Sequence, residues 1–90
     1  MLFFKHSTTC SISLRAFGEF QKYLESALSQ HVDHALIIMQ TARLVSDQLA
    51  ELSGIKHESP QAILVSQGKV VWNESHFGLK SHTLAAAVAR

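Results

Sequence analysis

Apolar residues change their spacing several times along this 90-residue chain, and each change marks an element. Leu2–His6 is a short apolar run of strand length. Ser7, Thr8 and Thr9 interrupt it with helix-capping residue types. From Ser11 onward, Leu14, Phe17, Phe20, Leu24 and Leu28 recur every three or four residues and predict a helix with one apolar face. Gly18 inside that helix costs about 1 kcal/mol against Ala, which large apolar neighbours tolerate. A loop over Ser29–Asp33 leads to a second strand-length run, Ala35–Met39. Leu44, Val45, Leu49 and Leu52 then predict another amphipathic helix, stopped by Gly54. After Pro60, the runs Ala62–Val65 and Val70–Trp72 flank Gln67–Gly68, which reads as a hairpin. The Ala-rich stretch from Lys80 to Arg90 predicts a last helix.

The order is therefore β-α-β-α-β-β-α. A strand–helix–strand unit requires a right-handed crossover and parallel strands, and a hairpin adds an antiparallel pair. The expected class is α/β: a four-stranded mixed sheet with helices on both faces, in one domain over residues 1–90. No linker, internal repeat or low-complexity segment interrupts it.

Composition narrows the function. With 47% hydrophobic and 17% charged residues, the chain reads as globular rather than disordered. A net charge of +1, with its basic residues scattered, argues against a nucleic-acid partner. The longest apolar runs, Leu84–Ala89 and Ala35–Met39, are too short for a membrane span. Met1–Phe4 meets Lys5 and His6 at once and is no signal-peptide core. The single cysteine cannot form an internal disulfide, and a reducing cytoplasm is the expected compartment.

That cysteine is the leading chemical candidate. Cys10 falls between the first strand and the first helix, at the carboxyl end of a strand, where open α/β sheets gather reactive groups. A helix N-terminus offers unpaired N–H groups and a positive dipole end to a thiolate nucleophile. Ser13, three residues on, is placed to add a hydroxyl hydrogen bond to the sulfur. Lys5 or His6 can add positive potential, although strand alternation turns them to opposite faces. The competing reading, a small buried hydrophobe, fits poorly with a Ser-Thr-Thr loop. Pro60, the one proline in the chain, opens a strand. A cis bond after Ser59, beside Cys10, would leave Ser59 backbone groups free to pair with an extended substrate. His31 and His34 aside, the six histidines show no ligand spacing, and a single cysteine supplies no partner thiolate, so no metal is expected; His31 and His34 read as solvated loop residues, His82 as a surface residue and Trp72 as core.

The stretch Phe4-Lys5-His6-Ser7-Thr8-Thr9-Cys10-Ser11-Ile12-Ser13 resembles the YtxJ-type monothiol bacilliredoxins of the thioredoxin superfamily. So do Ile55-Lys56-His57-Glu58-Ser59-Pro60-Gln61, Gly68-Lys69-Val70-Val71-Trp72 with Ser75-His76, and the Arg-x-x-Ser element from Arg43 to Ser46. The resemblance spans nearly the whole chain. It implies a thioredoxin-like fold reduced to a glutaredoxin-like minimal core. Cys10 then stands at the sole redox cysteine, Ser13 where dithiol relatives keep a resolving cysteine, and Pro60 at the superfamily's cis proline. Members often carry proline after the active cysteine, where this chain has Ser11, and usually have a segment before the motif strand; without it, one sheet face is expected to be thinly covered.

The implied activity is monothiol disulfide exchange, in which a low-molecular-weight thiol such as bacillithiol is removed from protein mixed disulfides. Cys10 and Ser13 are then the catalytic pair. Thr9, Ser11, Ser59 and Pro60 line the substrate site, and Arg43, His57 and His76 are candidates for the groove that holds the small thiol. The expected partners are S-thiolated client proteins and that thiol as co-substrate, with no tightly bound cofactor, no membrane and a monomeric state. Two other classes remain open: an iron–sulfur scaffold of the monothiol glutaredoxin type, and a redox-inert adaptor. Ser11 stands against the first, where that motif has Gly after the cysteine.

Overall fold

The computed structural model describes residues 1–26, 29–30 and 32–89. The elements run β1 (Leu2–His6), α1 (Ser11–Leu24), β2 (His34–Ile38), α2 (Arg43–Ser53), β3 (Gln61–Ser66), β4 (Lys69–Ser75), a 3₁₀ turn at His76–Gly78, and α3 (Ser81–Val88). The four strands form one mixed sheet in the order β2-β1-β3-β4. β1 and β2 are parallel, while β3 is antiparallel to both β1 and β4. The predicted element order and α/β class are thus found, with the 3₁₀ turn as an addition.

Alternation along the central strands sorts the two faces. Leu2 and Phe4 of β1 lie across from Leu64 and Ala62 of β3 and face α1 and α3, in a core with Ala16, Phe20, Leu79, Leu84 and Ala87. Phe4 stacks on Phe20 with ring centroids 4.5 Å apart. Glu19 ties the two helices on this side together: its Oε1 accepts from the Ser81 N–H at the start of α3 (2.9 Å), and its Oε2 meets Lys22 Nζ at 3.3 Å. These bonds, the one from Ser81 foremost, hold the Glu19 carboxyl below its ordinary range.

The opposite face carries Lys5, and α2 docks there differently from its sequence pattern. Leu44, Val45 and Leu52, expected on the buried stripe, are 79%, 51% and 87% exposed. The side turned inward is instead Ala42, Ser46, Leu49, Ala50 and Ser53, with Ser46 fully buried. Small residues let the helix approach the sheet, and a polar network replaces the apolar stripe. Lys5 Nζ donates to the Ser46 carbonyl (3.3 Å) and to His57 Nδ1 (3.1 Å), and the Ser46 hydroxyl lies 3.3 Å from the same ring nitrogen.

α1 is also rotated from its predicted face. Ser13, Ala16, Phe20 and Tyr23 are buried, whereas Leu14 and Leu24 are about half exposed. Leu28 and His31 lie outside the described residues. His34 is half-buried rather than solvated, with Nε2 bonded to Tyr23 Oη at 2.8 Å. The hairpin turn has φ of 53° at Gln67 and 78° at Gly68, the pair of positive values that a type I′ connection requires. Gly54 ends α2 with φ of 73°. Among the described residues, no helix is long and apolar enough to cross a membrane.

Candidate functional site

Four connections meet at one end of the sheet: those following β1, β2 and β4, and the one preceding β3. The first carries Cys10. Its backbone is extended (φ −99°, ψ 125°), it occupies the N-cap of α1, and its carbonyl accepts the first helical bond from Leu14 N–H at 2.9 Å. The cysteine is free and half-buried. Its neighbours Thr9 and Ser11 are exposed.

Ser13 does not do what its spacing suggested. It is fully buried, and its Oγ accepts from Ser7 N–H (2.8 Å) and lies 2.8 Å from His6 Nδ1, with no hydrogen bond to the sulfur of Cys10. The hydroxyl clamps the strand-to-helix loop from beneath and leaves the thiol to the helix start. His6 itself is buried and stacked on Phe17, ring centroids 4.5 Å apart. Burial pushes its pKa down, opposed by the bond to Ser13. With the imidazole neutral, Ser13 donating to Nδ1 is the arrangement that leaves no hydroxyl proton unpaired.

Gln40, which no local pattern marks, holds the outer side of the same loop. Its Oε1 accepts from Thr8 N–H (3.2 Å), and its Nε2 donates to Ser7 Oγ (3.0 Å) and Thr9 Oγ1 (3.3 Å). Only the fold brings residue 40 to residue 8, through the parallel pairing of β1 with β2.

Pro60 is fully buried at the entry to β3, and the Ser59–Pro60 bond is cis. Its carbonyl accepts from His76 N–H at 3.1 Å. Ser59 Oγ is shielded and has no hydrogen-bond partner among the described residues. His76 adopts φ of 53°, a left-handed conformation uncommon for a side-chain-bearing residue, and its Nε2 lies 3.5 Å from Glu58 Oε2. Buried Gln61 shapes the approach to Pro60: its Nε2 donates to the Lys56 carbonyl (3.0 Å) and its Oε1 accepts from Glu58 N–H (3.4 Å).

The other two groove candidates turn elsewhere. His57 is engaged with Lys5 and Ser46 beneath α2; burial first, then the Lys5 charge, pushes its pKa down. Arg43 opens α2 on an exposed ion pair with Asp47, 3.8 Å long. Of the three, His76 is the one bonded directly to Pro60.

A half-buried cysteine at a helix start, at the sheet end where a proline opens a central strand, suits nucleophilic exchange with a disulfide. A candidate oxidoreductase of thioredoxin fold is 38% identical, with a TM-score of 0.83 over 96% of this chain and 74% of its own. Two more distant structures share the fold alone. Thioredoxin 1 from Thermosipho africanus TCF52B has a TM-score of 0.71 at 10% identity, with 99% of this chain and 90% of its own covered. Trxlp from Edwardsiella tarda EIB202 has 0.75 at 16% identity, with 99% and 81% covered. The family model for the monothiol bacilliredoxin BrxC matches residues 1–84. The chain has the thioredoxin fold and belongs to the monothiol bacilliredoxins.

Proposed function

We propose that the protein removes a low-molecular-weight thiol, bacillithiol or an analogue, from mixed disulfides on client proteins by monothiol exchange through Cys10. The observation that carries this is the placement of the one cysteine in the chain: half-buried, at the N-cap of α1, at the sheet end where Pro60 enters β3. The Cys10 thiolate attacks the small-thiol sulfur of the mixed disulfide. A Cys10–small-thiol disulfide forms, and the client cysteine leaves as a thiolate. An external thiolate then attacks the adduct, forms a disulfide with the small thiol, and releases Cys10 as thiolate.

In this reading, Ser59 and Pro60 align the incoming disulfide, Thr9 and Ser11 form its exposed border, and His76 continues the groove. Ser13 acts through loop geometry instead of touching the sulfur. The test follows masses on both proteins after mixing with an S-thiolated client. The client should lose the small thiol while Cys10 gains it, and Cys10→Ser should abolish both changes. Client release with no adduct on Cys10 would overturn the mechanism.

A further inference from the structure

Along the side of α1 facing the 76–80 segment lies a cleft of about 390 Å³, lined among others by Ile12, Arg15, His76, Phe77, Leu79 and Lys80. This volume lies in the range of small-molecule sites, roughly 300–1,000 Å³. Its floor is apolar, with Leu79 buried, and the Phe77 ring is 64% exposed. Its rim holds two cations, Arg15 and Lys80, and one carboxylate, Glu19. Among the described residues, Arg15 and Lys80 have no carboxylate within salt-bridge distance, whereas Lys22 and Arg43 are paired. Glu19, the acidic group in the cleft, is committed to Ser81 N–H and Lys22. The left-handed His76 links the cleft to Cys10's sheet end through its bond to the Pro60 carbonyl. Such strained residues cluster at ligand sites.

We propose that this cleft is the recognition subsite for a carboxylate-bearing small thiol, with Arg15 and Lys80 contacting its anionic groups while its sulfur is exchanged at Cys10. The proposal rests on the exchange reading above and names the chemistry of its substrate. The apolar floor supports the ligand body, and the two cations select against neutral thiols.

Two small disulfides separate the subsite from the reaction. Dithiobis(nitrobenzoate) carries carboxylates and dithiodipyridine is uncharged. Each is attacked by the Cys10 thiolate to give a mixed disulfide and one coloured leaving group. The double variant Arg15→Gln/Lys80→Gln should lower the rate with the anionic disulfide about fivefold or more, the scale of one close contact between opposite charges in water. The rate with the neutral disulfide should stay within about twofold, and only the parent protein's anionic reaction should slow with added salt. Equal losses with both probes, or no loss with either, overturn the subsite while exchange at Cys10 stands. A parent protein inert to both probes overturns the exchange reading and the subsite with it.

Discussion

Replacing Ser13 by Ala distinguishes a residue that stabilises the sulfur from one that braces the loop. The hydroxyl has two partners at 2.8 Å, Ser7 N–H and His6 Nδ1, and Ser13 and His6 are at most 3% exposed. Water therefore cannot replace the lost oxygen readily. A typical hydrogen bond contributes about 1 kcal/mol net, and a buried group left unpaired costs about 1–3 kcal/mol. Ser7 is only half-buried, so its N–H falls at the low end of that range, and together with the buried His6 nitrogen the expected destabilisation is roughly 2–4 kcal/mol. A domain of this length has a total of roughly 5–13 kcal/mol, so the variant should still fold.

The assay is urea denaturation followed by the fluorescence of Trp72, the one tryptophan, which packs against the core. At about 4–8 °C per kcal/mol for a domain this small, a thermal scan should show a drop of at least about 8 °C. Below the unfolding transition, the rate at which Cys10 attacks a neutral small disulfide should change little, because Ser13 makes no hydrogen bond to the sulfur. A stability loss under about 0.5 kcal/mol would refute the brace, and a large loss of attack rate in fully folded protein would return Ser13 to the sulfur.

Ser13→Cys should turn the monothiol into a dithiol: the variant sheds its small-thiol adduct and accumulates an intramolecular disulfide with Cys10, both read by mass over time without added thiol. An unsubstituted protein that sheds its adduct equally fast would contradict the one-cysteine mechanism. Gly18→Ala should stabilise the protein by about 0.5–1 kcal/mol, because a Cβ there meets nothing within 4 Å; a loss in the denaturation midpoint would refute it. Burial lowers the pKa of His6, His34 and His57 in the native state, while unfolding returns each to about 6.5. The unfolded chain therefore binds more protons below that value, so this contribution to stability is complete above about pH 6.5 and declines as the pH falls toward the native pKa values. His6→Phe should flatten that slope, and an unchanged pH dependence would remove His6 from the account.

Much of this architecture is legible along the chain because period and punctuation agree. Leu2–His6 falls where its apolar run predicts, and Gln67–Gly68 turns the hairpin where the dipeptide stands. Helix faces are less legible, for a definite reason. Hydrophobic spacing finds the most apolar side of a helix, but docking selects the side whose shape fits. In α2 the apolar stripe Leu44, Val45 and Leu52 lost to a small-residue side centred on Ser46, because Lys5 projects from that sheet face and requires acceptors. In α1, Ser13 displaced Leu14 from the buried side because Ser7 N–H and His6 needed a partner there. In both helices the side turned inward is the one that supplies hydrogen bonds to a buried polar group. Gln40 left no local trace, since its role exists only after two distant loops become neighbours.

The location of the site follows from where the central ladder stops. The β1–β3 register runs from Leu2↔Leu64 to Lys5↔Gln61, so the next residues to meet are His6 and Pro60. Proline has no N–H to offer the ladder. The Pro60 carbonyl instead takes His76 N–H, while the His6 carbonyl takes Met39 N–H from the other side. Each neighbour is thus pulled outward, toward β4 and β2 respectively, and the chain after His6 is released from the sheet. It does not fray, because Ser13 holds Ser7 from below and Gln40 holds residues 7–9 from outside. Cys10 is delivered to the helix start by a loop fixed on two sides, with the proline that ended the ladder at the same end of the sheet. A nucleophile that must meet a disulfide in one orientation requires such a fixed approach. The four polar connections around it are therefore parts of one device, from which α1 carries the sulfur and the 76–80 segment carries the cleft.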